Sequence, residues 1–206
     1  MKRLLTITMI IILIYGSYFI TVSILYPLAY KEIVLDNSLK YDMDPKLVFA
    51  VIKTESNFDT NAVSNKGAKG LMQVSETTGR WGSEDLKIDN YNDELLYDPG
   101  INISIGTWYL NLLLNQYKEL DTALAAYNAG SGNVSSWLSD PNYSEDGVKL
   151  YKIPFPETRE YVNKVKDNTN IYSRFYRDNV YYKGESLFEE LIFKIRIWLM
   201  DIRNNR

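Results

Sequence analysis

From Leu4 to Tyr30 the chain reads LLTITMIIILIYGSYFITVSILYPLAY and carries no charged side chain. A helix needs ~20 apolar residues to cross the hydrocarbon core of a bilayer, so this segment predicts a transmembrane helix and separates the remaining chain from it. A cleaved signal peptide would show a shorter apolar region, about 7–15 residues, followed by a small-x-small cleavage site. Neither feature is present, and the absence of cysteine removes a lipoprotein anchor. Lys2 and Arg3 precede the segment, whereas Lys31, Glu32 and Asp36 follow it, which predicts a cytoplasmic N-terminus and an outward-facing remainder. With Lys2 and Arg3 set aside, that remainder has a net charge of about −5, which argues against a nucleic-acid partner.

The 206 residues, 46% of them hydrophobic, suffice for one well-buried domain with appendages. The chain has no histidine and no cysteine. Ser-His-Asp and Cys-His triads, thiol nucleophiles, thiolate metal sites and disulfides are therefore excluded. Chemistry is left to carboxylates, hydroxyls, amides and lysine. The acidic residues are scattered rather than clustered, so neither a metal nor another cofactor is expected.

Asp44-Pro45 and Asp98-Pro99 both have the form of a helix N-cap followed by proline in the first turn. After Asp98 the apolar residues Ile101, Ile105, Trp108 and Leu112 recur at helical spacing. After Pro156 so do Tyr161, Val165, Tyr172 and Phe175, with Asn168 as a polar exception. Shorter helices are expected over Tyr30–Lys40, Leu71–Arg80 and Thr122–Asn128. Turn formers dominate Asn61–Lys69 and Gly130–Asn133. Strand alternation is scarce and suggests only short β pieces near Tyr151–Phe155. The expected fold class is mainly α, with residues 1–30 as anchor, 31–178 as the functional domain and 179–206 as an amphipathic tail.

In the helix after Asp44, the residues Leu47, Val48, Val51, Ile52 and Phe58 fall within an arc of about 140°, and Glu55 lies near its middle. Lys46, Lys53 and Thr54 lie on the other side. An unpaired carboxylate on a buried face is costly and usually keeps its proton through a raised pKa. A protonated carboxyl in an apolar cleft is the group that acid-catalysed glycosidic cleavage requires. The alternative is that the helix ends near Glu55, leaving the carboxylate in water or paired with Lys53 or Lys69.

Four blocks recur in order: ESNF at Glu55–Phe58, SNKGAKGLMQ at Ser64–Gln73, AYNAG at Ala126–Gly130 and PETREYV at Pro156–Val162. Together they resemble the Slt-type lytic transglycosylases, a family with a goose-lysozyme-like fold, over about Tyr41 to Tyr172. The resemblance implies peptidoglycan glycan strands as substrate and Glu55 as both general acid and general base. It implies that Ser64 orients the acid or the substrate, that Met72 and Gln73 line the cleft, and that the Tyr127 hydroxyl approaches the acid. Asn128 would brace a turn or touch a sugar, and Glu157 would be a second acid near the cleft. Each has a plainer reading. Ser64 could cap a loop turn, Tyr127 could be satisfied elsewhere in the core, and Glu157 could simply stabilise a helix dipole. Gly67 and Gly70 fit a turn and a close backbone approach, and Leu71 fits the core.

Seventeen tyrosines and four tryptophans offer faces for pyranose rings, with Trp81, Trp108, Trp137 and Tyr143 as candidates, although most aromatics will be core. The competing functions are a goose-type muramidase that activates water through Asp59, Glu76 or Asp85, and an inactive membrane-tethered binding module. In the tail, the apolar residues Leu187, Phe188, Leu191, Ile192, Ile195, Trp198, Leu199 and Ile202 span an arc of about 140°, with Lys194, Arg196 and Arg203 outside it. Such a helix either lies on the membrane surface, a second membrane contact besides the anchor, or packs against the domain or the span. No protein partner is legible.

Overall fold

The computed structural model describes residues 2–176, 184 and 187–204, and among them the regular structure is entirely helical. The chain forms two compact units, one built from its first 31 residues and its C-terminal segment, the other running from Glu32 through the intervening helices. In the first unit, α1 (Lys2–Leu25) presents most of its apolar side chains outward. It is long and apolar enough to cross a membrane. It stops short of the expected Tyr30, because Pro27 cannot donate a backbone hydrogen bond and forces its predecessor out of helical geometry. At 24 residues it is about 36 Å long, still enough for a hydrocarbon core of about 30 Å.

Within the same unit α9 (Leu187–Asn204) packs beside α1. Phe188 stacks on Phe19 at 5.7 Å, and Lys31 pairs with Glu189 at 3.5 Å. Arg196, expected on the solvent side of the tail, is buried and donates through Nη1 to the Ile24 carbonyl. That carbonyl lies in the last turn of α1, where intrahelical partners run out. The apolar residues Leu187, Leu191, Trp198 and Ile202 remain exposed. The side chain of Arg203 and the expected boundary between residues 178 and 179 lie outside the described residues.

The second unit is entered through α2 (Lys31–Lys40). The Asp44 carboxylate accepts from the Lys46 N–H at the start of α3 (Pro45–Glu55), and Asp98 does the same for Ile101 at the start of α5 (Pro99–Tyr117). Ser75 caps α4 (Glu76–Asp85), so the helix expected from Leu71 starts later. A 3-10 turn at Asp93–Tyr97 joins α4 to α5. Glu119 caps α6 (Leu120–Ala129), accepting from the N–H groups of Asp121 and Thr122. The turn expected over Gly130–Asn133 contracts to Gly130 alone, at φ +87°, and α7 (Ser131–Leu138) follows at once. The β pieces expected at Tyr151–Phe155 do not form, and that stretch leads irregularly into α8 (Pro156–Tyr176).

The core is organised by α3 against α8 and α5 against α6. The α3 side chains from Val48 to Ile52 are completely buried, a wider face than periodicity indicated. Each large apolar side chain removed from water in this way contributes about 1.5–3 kcal/mol. Phe49 meets Tyr172 of α8 at 5.5 Å and Phe58 at 6.4 Å. Asn168, the polar exception on α8, donates to the Thr54 hydroxyl of α3 at 2.9 Å, so the exception is a crosslink between the two helices.

Candidate active site

Glu55 is the last residue of α3. The chain leaves the helix through Ser56 and then through Asn57 and Phe58, both left-handed at φ +51° and +65°. This turn is secured at both ends. The Ser56 hydroxyl donates to the Leu71 carbonyl at 2.8 Å, and the Phe58 ring sinks into the core. The helix thus ends where the alternative sequence reading placed its end, yet the carboxyl is not released into water.

Burial raises the Glu55 pKa from 4.5 to about 7, and the Tyr161 hydroxyl of α8 opposes part of that rise by stabilising the anion. The residue keeps partial solvent access while protein surrounds most of its carboxyl. The Tyr161 hydroxyl is itself buried and makes no well-formed hydrogen bond, so it stands near the carboxyl without being committed to another acceptor. The lysines proposed as partners for Glu55 are engaged elsewhere: Lys53 donates to Asn57 at 2.6 Å, and Lys69 pairs with Glu94 at 3.2 Å and Glu76 at 3.4 Å.

The segment from Ser64 to Val74 is folded back on itself by paired backbone bonds between Lys69 and Val74 and by Gly70 N–H to the Ala62 carbonyl. Asn102, completely buried in α5, holds it. Its Oδ1 accepts from the Met72 N–H at 2.8 Å, and its Nδ2 donates to the carbonyls of Lys69 and Leu96 at 2.9 and 2.6 Å. Gly70, at φ +74°, leaves room for this clamp, since a Cβ there would stand 2.4 Å from Asn102 Nδ2.

The loop in turn positions Tyr127, whose hydroxyl donates to the Met72 carbonyl at 2.9 Å. Burial, and after it the Glu55 charge, raise the Tyr127 pKa well above its usual value, so the phenol is within electrostatic reach of the acid. Met72, expected along the cleft, is placed inside the protein. Its side chain is completely buried, with sulfur accepting from the Thr107 hydroxyl, and what it contributes is a backbone carbonyl. Ser64 accepts from the N–H groups of Ala68 and Lys66, so its oxygen caps the turn. Gln73 donates through Nε2 to the carbonyls of Ala62 and Gly70, which commits its amide nitrogen to the loop. Asn128 accepts from Thr158 at 2.8 Å and braces α6 against the first turn of α8, where Glu157 sits exposed. Sequence reasoning missed Asn102 and Thr158. Their signal was a polar side chain on an otherwise apolar helical face.

Residues 32–148 match the family model described as Transglycosylase SLT domain. The chain belongs to this family. Over 155 residues this SLT protein is 34% identical to a soluble lytic murein transglycosylase of Salmonella typhimurium, an alignment covering 74% of this chain and 23% of that relative. It is 30% identical over 174 residues to a membrane-bound lytic murein transglycosylase C of Pectobacterium atrosepticum, covering 70% of this chain and 47% of that one. The chain therefore spans about a quarter of the soluble relatives and about half of the membrane-bound ones.

Among solved structures it superposes on an inactive mutant of the lytic transglycosylase Slt from Pseudomonas aeruginosa with TM-score 0.66 and 29% identity, over 82% of this chain and 27% of that one. The 70 kDa soluble lytic transglycosylase of Escherichia coli gives TM-score 0.65 and 30% identity, over 76% and 26%. The fold is thus the helical, lysozyme-like one that the four sequence blocks implied.

The three acids considered as bases for activating water each have a structural partner. Asp59 accepts from the Asn61 N–H, Glu76 pairs with Lys69 and Arg80, and Asp85 accepts from Trp108 Nε1. Of the aromatic candidates, Trp108 and Trp137 are buried, and Trp137 meets Phe155 edge-on at 4.9 Å. Tyr143 is half-buried beneath Lys152, and Trp81 is exposed.

Proposed function

We propose that this SLT domain cleaves the β-1,4 bond between N-acetylmuramic acid and N-acetylglucosamine in peptidoglycan without consuming water. The observation that carries the reading is the Glu55 carboxyl, buried at the end of α3 in an SLT fold so that its pKa is raised to about 7 and a substantial fraction stays protonated near neutral pH. Glu55 gives its proton to the bridging oxygen as the bond to the anomeric carbon breaks. The carboxylate then takes the proton of the muramic C6 hydroxyl, whose oxygen bonds to the anomeric carbon and closes a 1,6-anhydro ring. Supplying the nucleophile from the same sugar removes the need for the second carboxylate that most glycosidases use. Tyr161 supports both halves of this cycle, because a hydroxyl donor beside the acid steadies the anion between the two proton transfers. Gln73, Asn128 and Glu157 would meet the sugars or brace the walls around them. Ser64 and Met72 would act through the loop.

Mass spectrometry of the fragments released from purified peptidoglycan tests this directly. The expected products end in 1,6-anhydromuramic acid and are lighter by one water than reducing fragments. Reducing ends from the earliest time points would instead assign a goose-type muramidase. No product from folded protein would assign a binding module.

The same proposal places α1 across the cytoplasmic membrane with its N-terminus inside, so that the SLT domain works outside. The exposed apolar side of α9, with Leu187, Leu191, Trp198 and Ile202, then lies in the outer interface beside the end of the span. The full chain is expected to fractionate with membranes, and a mature N-terminus after Tyr26 or Ala29 would contradict the anchor. A version beginning after Tyr30 should bind liposomes more strongly with Leu187–Arg206 than without it. Equal binding would leave α9 a packing element only.

A further inference from the structure

The geometry points to a second sugar subsite on the outer face of α4, formed by Trp81 as a platform and Asp85 as an acceptor, which holds the N-acetylated glycan strand beyond the residues around Glu55. This rests on the peptidoglycan-cleaving reading above and extends it to residues outside the four sequence blocks.

Trp81 is 52% exposed, whereas Trp108 and Trp137 are 3% and 7% exposed. Its ring is nevertheless held. It meets Trp108 edge-on at 4.9 Å and 81°, and Tyr109 at 6.3 Å and 70°. The helix beneath it is also set tightly against α5, because a Cβ on the adjacent Gly82 would stand 2.7 Å from Ile105 Cγ2 and 3.1 Å from the Trp108 ring. An apolar ring fixed at the surface has little conformational freedom to lose when a ligand covers it, which is the condition for an efficient platform.

Asp85 lies four residues on, one helical turn along the same face. Its Oδ2 accepts from Trp108 Nε1 at 2.7 Å, so the carboxylate is oriented by the same indole that braces Trp81. An ionised carboxylate has about four acceptor sites, and the indole occupies one. A pyranose ring offers an apolar C–H face with hydroxyl donors around its edge. A braced indole beside an oriented carboxylate matches both parts of that surface.

The rings also connect this face to the acid. Tyr109 lies 6.3 Å from Trp81 and 5.6 Å from Tyr127, the phenol that bonds the Met72 carbonyl and feels the Glu55 charge. Trp81, Tyr109 and Tyr127 thus form an aromatic run from solvent inward to a phenol within electrostatic reach of Glu55. An occupant that begins at Glu55 and continues over α4 is a polymer of linked pyranoses, not an isolated sugar.

The test uses the full chain in detergent. Trp81→Ala should raise KM on long glycan strands about tenfold, a loss of ~1.4 kcal/mol, with the change concentrated in KM rather than kcat. Trp81→Phe, which keeps a ring, should recover part of it, and Asp85→Ala should act in the same direction as Trp81→Ala. Thermal unfolding of each variant separates these effects from misfolding. In parallel, binding of N-acetylglucosamine hexamer to Glu55→Gln protein is measured by calorimetry with and without Trp81→Ala. A weaker hexamer affinity in the Trp81→Ala protein supports the subsite. An unchanged KM together with an unchanged affinity overturns it. A change of oligomeric state in place of either effect also overturns it, assigning the face to a second copy of the chain. If the parent protein cleaves no peptidoglycan, the functional reading fails by itself and the hexamer measurement decides the subsite alone.

Discussion

Glu55→Gln is expected to abolish peptidoglycan cleavage while leaving the fold and glycan binding in place. The amide keeps the shape of the carboxyl but can neither give the proton that releases the leaving sugar nor take one from the C6 hydroxyl. Loss of a positioned general acid typically lowers a rate by about 10²–10⁴-fold, and here one substitution removes both acid and base, so the loss should reach at least that range. Asp59, Glu76 and Asp85, the acids considered as alternatives, are each held by a structural partner. Release of anhydro-muramic fragments from purified peptidoglycan is the readout. Retention of a tenth or more of the wild-type rate would move the acid elsewhere. In the wild type, activity should fall as pH rises through about 7, where the protonated acid is lost.

The same substitution should stabilise the protein, and only at higher pH. In the unfolded chain Glu55 titrates near 4.5, and in the folded chain burial moves it to about 7. At about pH 4 the carboxyl is protonated in both states and the pKa shift makes no difference. Between those values the unfolded chain releases the proton and the folded one keeps it, so stability falls as pH rises. Above about 7 the full loss is present, about 3 kcal/mol for a shift of this size. Glutamine does not titrate and escapes this loss. The stability of Glu55→Gln relative to wild type should therefore increase by about 3 kcal/mol between about pH 4 and pH 8, or roughly 6–12 °C in Tm. Thermal unfolding of both proteins at the two pH values measures it. A difference independent of pH would mean that the carboxyl is solvated in the folded protein.

Much of this architecture was legible locally. The Asp44-Pro45 and Asp98-Pro99 pairs marked the starts of α3 and α5 because a capping carboxylate and a proline without an N–H satisfy the first turn wherever the helix later packs. The charge-free segment announced α1, and apolar spacing put Glu55 on the buried side of α3. Local patterns failed where a turn competes with a helix. Leu71–Val74 has helical spacing, but it is drawn into the folded-back loop by the Asn102 side chain, and Gly130 alone makes a turn for which four residues were allotted.

The sequence by itself determined most of the helices, which side of each is apolar and, through its four blocks, the family, and it singled out Glu55 as the candidate acid. Only the tertiary structure decided how far the Glu55 pKa rises, because desolvation depends on atoms brought by α6 and α8, far away along the chain. It also decided that Met72 turns inward while its carbonyl holds Tyr127, that Ser64 caps a turn, and that Trp81 stays in solvent while Trp108 is covered. Periodicity gives a side chain's direction about its own helix axis. Whether that direction ends in protein or in solvent depends on which distant helix lies there, and no local spacing encodes it.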